Sequence, residues 1–333
     1  MRLLVDARWI GMHGIGRFAR EILSRLPEAQ AMPRGLGPAH PADPAWTAFH
    51  VARLRPDVYF SPGFNPPLAA RTPFVITLHD LIPLQVAEER KFAKRLYYER
   101  LVRPATHRAF RVITVSEDSR RDIAAWSGVA AERIVVAGNG VSPGFRGQGD
   151  RFALDRPYVL YVGSRSPHKN VPALLRAFAA SGLAAHTALL LSGAPDDRTR
   201  RWMKEAGLGD AEVRFAGAIP ENRLPDYYRG ALALAIPSLA EGFGLPALEA
   251  MACGTPVLAA RRGALPEVVG DAGVFVDPTR PEAIAAGLKR IASDDALRAQ
   301  LARRGLERAA RFRWDDAAAR VFDVLQAAAE ARR

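Results

Sequence analysis

Cysteine is nearly missing: Cys253 stands alone among 333 residues. One thiol excludes an internal disulfide framework and a cysteine-rich zinc site, and it fits a reducing cytoplasm. Long hydrophobic runs are missing as well. No stretch of about 18 uncharged apolar residues occurs, so no membrane-spanning helix is expected. The opening MRLLVDARW carries one positive charge ahead of a short apolar run that Asp6 ends, and it reads as a first strand rather than a signal peptide. No fixed-period repeat is present. No D-x-D pair stands where a metal would need it, since Asp196-Asp197 and Asp294-Asp295 read as surface turns or helix starts.

Acidic charge is in deficit, with 35 Asp and Glu against 47 Lys and Arg for a net charge of +12. A basic surface favours anionic lipid, nucleic acid or phosphorylated ligands; an arginine- and alanine-rich composition of high-GC origin gives the same excess. Length predicts two domains of ordinary size. Short apolar runs alternate with amphipathic segments, the pattern of α/β layers on parallel sheets. The expected strands are RLLVDA, DVYFS, FVITL, VITVS and IVVAG, then YVLYVG, ALLLSG, VRFAG, LALAIP, PVLAA and VFVDP. Leu26 to Trp46 is rich in Pro, Gly and Ala and reads as a loop. The expected organisation is an α/β chain of two Rossmann-like domains facing across a cleft: a first domain at residues 1–148, a linker at 149–157, a second domain at 158–312, and a C-terminal helix at 313–333. Val321, Phe322, Val324 and Leu325 give that helix an apolar stripe, which caps the second domain or crosses back onto the first.

EGFGLPALEAMACGTPV, from Glu241 to Val257, concentrates chemistry in one run. It follows the strand-like LALAIPS, so Glu241 falls beyond the carboxyl end of a buried parallel strand, the edge where open α/β sheets bind ligands. Gly242 and Gly244 permit an unusual turn and a close main-chain approach. Pro246 suits a helix start, and Gly254 a helix stop. Glu241 then projects from the loop, while Glu249 lies about one turn into the helix. An early-helix glutamate alone also suits the helix dipole.

This block is similar to the E-x7-E motif of the retaining glycosyltransferases of family 4, which have the GT-B fold. PSLAEGFGLPALEAMACGTPVLA matches that family almost letter for letter. Tyr161-Val162-Gly163 with Pro167-His168-Lys169-Asn170, VRFAGAIPENRLPDYYRGA and LPEVVGDAGVFVDP resemble it too. HGIGRFAREIL, TLHDLIPL and VITVSEDSRRDI resemble the subgroup rich in bacterial mannosyltransferases of surface polysaccharide assembly. The resemblance implies transfer of a hexose, first of all mannose from GDP-mannose, to a glycan or a polyprenyl-diphosphate-linked saccharide.

Such a transfer must stabilise the leaving diphosphate, hold the sugar and present the acceptor hydroxyl. The resemblance assigns Lys169 to the diphosphate. Many members carry Arg just after the glycine, where this chain has Ser164, and others carry Arg before the lysine, where it has His168. Arg165 is offset by one and is expected to compensate. Glu241 is implied to contact hexose hydroxyls with the N–H groups of Gly242, Phe243 and Gly244, Leu245 lying beside them, and Glu249 to bind ribose hydroxyls. Gly14 and Gly16, in HGIGRFA, are expected to form a helix-start turn over the sugar diphosphate. With Ala19 they also match a dinucleotide fingerprint, but no strand-end acid follows about 20 residues on. His79 is implied to lie near the transferred sugar, with Asp80 orienting it or accepting from the acceptor hydroxyl. Ser116, Glu117, Asn139, Ser164 and His168 are expected to line the site. Retention follows either from a covalent carboxylate intermediate or from departure and attack on one face; the second, which needs no nucleophile, is favoured. No cofactor and no obligatory metal are expected, since basic groups replace the cation.

Between Arg90 and Arg111 basic residues interleave with Phe92, Tyr97, Tyr98 and Phe110. The pattern fits a helix lying on anionic lipid, an arginine-rich RNA-binding segment or a plain solvated helix. Peripheral contact with the inner face of the plasma membrane is the favoured expectation, with no nucleic-acid partner. The competing functions are another GT-B activity, such as a sugar-nucleotide epimerase, and a non-catalytic binder.

Overall fold

The computed structural model describes residues 1–11, 14–38, 40–89 and 92–332. The chain divides into two compact units, Met1–Gly140 with Arg313–Arg333, and Val141–Phe312. Each is built on a six-stranded, wholly parallel sheet.

The first sheet contains β1 (Leu3–Val5), β2 (Ala29–Ala31), β3 (Val58–Ser61), β4 (Phe74–Thr77), β5 (Arg111–Thr114) and β6 (Ile134–Val136), in the order β2-β1-β3-β4-β5-β6. The second contains β7 (Tyr158–Tyr161), β8 (Ala188–Leu191), β9 (Val213–Phe215), β10 (Ala233–Ile236), β11 (Val257–Ala260) and β12 (Gly273–Val276), in the order β12-β11-β10-β7-β8-β9. Strands β3, β4, β7, β8, β10 and β11 are buried along their whole length. That explains why they read as continuous apolar runs rather than as alternation. In each sheet the strand order reverses once, between β1 and β3 and between β7 and β10. Doubly wound sheets bind ligands outside the carboxyl ends of the strands at such a reversal.

Two expectations are corrected, and a third, left between two alternatives, is decided. The segment from Leu26 to Trp46, expected as a loop, contains the edge strand β2 and the start of the helix Asp43–Leu54. The strand reads AQA and is held by backbone pairing to β1, so no apolar pattern marks it. In the helix, Pro44 occupies the first turn, where its missing N–H leaves no bond unmade. Second, the chain passes between units at Gly140–Val141 and Phe312–Arg313. The segment 149–157, expected as a linker, is packed on the second unit. Phe152 stacks on Tyr227 with ring centroids 4.0 Å apart, and Arg229 Nε donates to the Asp150 carbonyl at 2.7 Å. Third, the C-terminal helix Trp314–Glu330 belongs to the first unit, packing on the helix Gly14–Leu23 and on β3 and β4. Its stripe buries Val321, Val324 and Leu325, and Arg320 Nη1 donates to the Ala137 carbonyl at 2.9 Å. Gly140 is required there, because a Cβ would fall 2.1 Å from the Trp314 nitrogen.

Candidate active site

In the second unit the chain leaves β7 through Gly163 and enters a tight turn at Pro167–Lys169 before the helix Val171–Ala180. It leaves β10 through Pro237 and reaches Glu241 before the helix Leu245–Ala252. These are the two strands flanking the reversal in strand order. Lys169 Nζ donates to Glu241 Oε1 at 2.7 Å, and the buried Ser238 Oγ donates to the same oxygen at 2.7 Å. The Leu239 N–H donates to the His168 carbonyl at 2.7 Å. Two segments some 70 residues apart in sequence are therefore stitched into one corner.

Of the two turn glycines, Gly244 adopts the left-handed backbone its sequence implies and Gly242 does not. Gly244 has φ 94° and begins the helix, and a Cβ there would lie 2.7 Å from Leu265 Cδ2. Gly263 has φ 57°, and a Cβ there would lie 2.5 Å from the Glu241 carbonyl oxygen. The Ala264 N–H donates to that same oxygen at 3.0 Å. The loop after β11 thus carries the Glu241 backbone. Among the described residues the amides of Phe243, Gly244 and Leu245 have no acceptor. They form a group of open donors at a helix start, where the helix dipole adds partial positive charge. The Phe243 ring turns away and packs edge-on to Phe312, with centroids 5.9 Å apart.

Glu249 lies deeper. It is buried, and Tyr228 Oη donates to its Oε2 at 2.8 Å. The two glutamates hence differ in setting, Glu241 at the loop and Glu249 within the first helical turns.

Arg165 is anchored at the strand ends. Its Nη1 donates to the Gly163 carbonyl at 2.9 Å and its Nη2 to the Ser192 carbonyl at 2.6 Å, while the guanidinium sits over the Tyr161 ring. Burial pushes its pKa down. The side chain braces the ends of β7 and β8 through one donor on each terminal nitrogen, while its buried Nε has no partner among the described residues. Ser164 is exposed and its Oγ donates to Ser166 Oγ at 2.9 Å.

In the first unit, His79 follows β4. Its Nε2 lies 2.9 Å from the Pro62 carbonyl oxygen, and its ring meets Phe18 edge-on at 4.9 Å. A carbonyl only accepts, so Nε2 carries the proton and donates. Burial pushes the pKa down to about 4, leaving a neutral ring whose Nδ1 has no partner among the described residues. Asp80 does not orient this ring; its Oδ1 accepts from the Ile82 N–H at 3.0 Å, capping the turn Ile82–Gln85. Ser116 is fully buried as a helix cap, accepting from the Ser119 N–H at 3.0 Å. Ser119 Oγ in turn donates to the His79 carbonyl at 2.9 Å. Glu117 pairs with Arg120 at 2.8 Å on the surface. Asn139 is buried beside the close approach of Gly140 to Trp314. Cap and turn roles thus explain Ser116 and Asp80, since strand ends need polar side chains to satisfy the following amides. Gly14 starts its helix, and Gly16 is packed so tightly that a Cβ would meet the Gly11 backbone at 2.6 Å; Met12 and His13 between them lie outside the described residues.

Reading by motif did not single out Ser238, Tyr228, Asn170, Pro62 or Ser119 as parts of these sites. Ser238 had a usable signal, a small polar residue just past a buried strand. Pro62 contributes a carbonyl, which no side-chain pattern announces.

Two doubly wound units, one with a cation–carboxylate pair at its strand-order reversal, are the architecture that the resemblance to GT-B glycosyltransferases implies. Residues 5–145 match the family model described as Glycosyltransferase Family 4, and residues 148–308 match Glycosyl transferases group 1. O-antigen chain mannosyltransferase B of Escherichia coli is 31% identical over 300 residues, covering 86% of this chain and 78% of that protein. A D-inositol 3-phosphate glycosyltransferase of Acidothermus cellulolyticus is 34% identical over 248 residues, covering 68% of this chain and 55% of that one. The structure of Anabaena HepE, solved with UDP and glucose, superposes with a TM-score of 0.77 at 19% identity, covering 98% of this chain and 100% of that one. The chain belongs to glycosyltransferase family 4, with the two-domain α/β GT-B fold.

Proposed function

We propose that this glycosyltransferase moves a hexose, mannose from GDP-mannose in the first instance, from a nucleotide sugar onto a glycan or lipid-linked saccharide of a surface polysaccharide. The observation that carries this reading is the Lys169–Glu241–Ser238 cluster beside the open amides of Phe243, Gly244 and Leu245. In this account Lys169 and the helix-start amides stabilise the charge that develops on the departing diphosphate. Glu241 releases Lys169 and accepts from hexose hydroxyls, while Glu249, its carboxylate steadied by Tyr228, takes the ribose hydroxyls. The neutral His79 offers a lone pair at Nδ1 to a hydroxyl of the transferred sugar. Departure and attack share one face: the bond from the anomeric carbon to the diphosphate breaks, the acceptor oxygen bonds in its place and gives its proton to the leaving phosphate, and the anomeric configuration is retained. Positive charge for the diphosphate comes from Lys169 and backbone dipoles, so no metal is required. The relative named O-antigen chain mannosyltransferase supports mannose and a polysaccharide acceptor. The relative named D-inositol 3-phosphate glycosyltransferase supports a second reading in which the acceptor is a phosphorylated polyol.

The first unit also offers a membrane-facing element. The helix Phe92–Tyr97 buries none of its residues, and Phe92 is 81% and Leu96 46% exposed beside exposed Lys94 and Arg95. Apolar side chains one helical turn apart among cations suit an anionic lipid surface. Arg90 and Lys91, which extend the basic run, lie outside the described residues. Among the described residues no helix is long and apolar enough to cross a membrane.

Incubating the full chain with labelled GDP-mannose, UDP-glucose and dTDP-glucose, with lipid-linked saccharide and inositol phosphate acceptors, tests the activity. NMR of the product reads the anomeric configuration. A retained mannoside formed equally well in EDTA is expected. Formation of a free epimerised sugar nucleotide without any glycoside, or activity lost to EDTA and restored by magnesium, contradicts the corresponding part of the proposal.

A further inference from the structure

Asn170, immediately after Lys169, is one of two non-glycine residues with positive φ among the described residues, at φ 58° and ψ 34°. That region is costly for a residue with a Cβ and is tolerated best by asparagine. The conformation reverses the chain from the tight turn Pro167–Lys169 into the helix Val171–Ala180. The side-chain amide nitrogen is also engaged, through both of its N–H groups. This Nδ2 donates to the Pro237 carbonyl at 3.1 Å and to the Pro278 carbonyl at 2.8 Å. Pro237 directly follows β10 and Pro278 lies two residues beyond β12. One carboxamide therefore hangs the loop after β7 from the loops after two other strands. Pro237 immediately precedes Ser238, which binds the same Glu241 oxygen as Lys169.

We infer that Asn170 is a positioning residue for Lys169, fixing where the ammonium stands relative to Glu241 by combining a left-handed backbone with two hydrogen bonds to carbonyls of neighbouring loops. Glycine at this position would supply the backbone angles alone. Asparagine supplies the angles and the anchorage, so the ammonium is held in place before any ligand arrives. Preorganisation of this kind raises affinity by reducing what must be ordered on binding. The inference rests on the reading of Lys169 as a diphosphate ligand.

The test is isothermal titration of the full chain with GDP, UDP, ADP and dTDP, in a cycle of Lys169→Ala, Asn170→Gly and the double variant. Melting temperatures are recorded for each. Asn170→Gly retains the left-handed turn, so it is expected to fold and to bind the preferred nucleoside diphosphate about tenfold more weakly, the effect of losing two ordinary hydrogen bonds that hold the site. In the Lys169→Ala background the same change is expected to cost no further affinity, because its effect passes through the lysine. Asn170→Asp keeps the backbone preference but turns an acceptor toward two carbonyls, and it is expected to bind at least as weakly as Asn170→Gly. Equal losses from Asn170→Gly in both backgrounds, or no loss in the parent while Lys169→Ala binds poorly, overturns the positioning role alone. Parent-like binding by Lys169→Ala, or no binding of any of the four nucleotides by the parent, overturns the diphosphate reading and the inference with it.

Discussion

Lys169 and Glu241 meet at 2.7 Å across the one place in the second sheet where strand order reverses, each reached from the carboxyl end of a strand flanking that reversal. The fold alone directs a ligand to this point, and the side chains placed there have opposite charge. In the proposed function the carboxylate that pairs with the lysine competes with the donor's diphosphate for the same ammonium.

That competition gives the first prediction. Lys169→Ala lowers kcat/KM about 100-fold or more, the scale of losing one charge-stabilising group. Glu241→Gln retains measurable transfer, and a sugar-free nucleoside diphosphate binds this variant at least as tightly as the parent. Steady-state kinetics and titration check both. Complete loss of transfer in Glu241→Gln with donor binding intact would count against the mechanism that needs no enzyme nucleophile.

His79 gives a prediction in pH. Its pKa lies at about 4, below the ordinary 6.5, because burial disfavours the charged ring. Between those values the unfolded chain binds a proton that the native chain does not, so stability falls as pH is lowered through this window and is complete above 6.5. The loss amounts to at most about 3 kcal/mol. Denaturant unfolding from pH 7 to 4 is expected to show that slope, and His79→Gln to flatten it. An NMR titration with a midpoint near 6.5 would refute the neutral ring and with it the fixed tautomer.

Gly263 tests how the Glu241 loop is supported. Its positive φ and the 2.5 Å approach of a Cβ to the Glu241 carbonyl oppose any side chain there. Gly263→Ala is expected to cost about 2 kcal/mol or more and to raise the donor KM by displacing Glu241. Thermal unfolding and kinetics check it. A stable variant with an unchanged KM would show that this loop does not set the carboxylate.

Much of this corner was legible in the sequence, and the reasons are local. Glu241, Gly244, Pro246 and Gly254 state a strand end, a left-handed turn, a helix start and a helix stop within fourteen residues, and each is realised as read. Asn170 was visible only as a letter in a motif, because its partners are backbone carbonyls 67 and 108 residues away. Arg165 shows the same limit. Its charge and position suit a phosphate, and its contacts to two carbonyls brought close by the fold of β7 and β8 were not legible in the sequence. Ser116 and Asp80 share a strand-end position with His79, but their oxygens cap the next turn. Strand β2 was missed because an edge strand held by backbone pairing needs no apolar alternation.

The exposed pair Phe92 and Leu96 predicts lipid contact. Sedimentation with vesicles containing about one-third anionic lipid is expected to capture the parent chain and to release it at high salt. A variant combining Phe92→Ser, Lys94→Gln and Arg95→Gln is expected to bind about tenfold less while its melting temperature stays within about 2 °C, since none of the three is buried. Unchanged capture would discard this surface as the site of attachment.

The most direct test of the central claim is a crystal structure of the full chain with GDP-mannose or the nucleotide sugar that the donor panel selects. The account predicts a phosphate oxygen at the Lys169 ammonium, with the Lys169–Glu241 contact broken, Glu241 on the hexose and Glu249 on the ribose. A nucleotide bound elsewhere, with Lys169 still paired to Glu241, would contradict it.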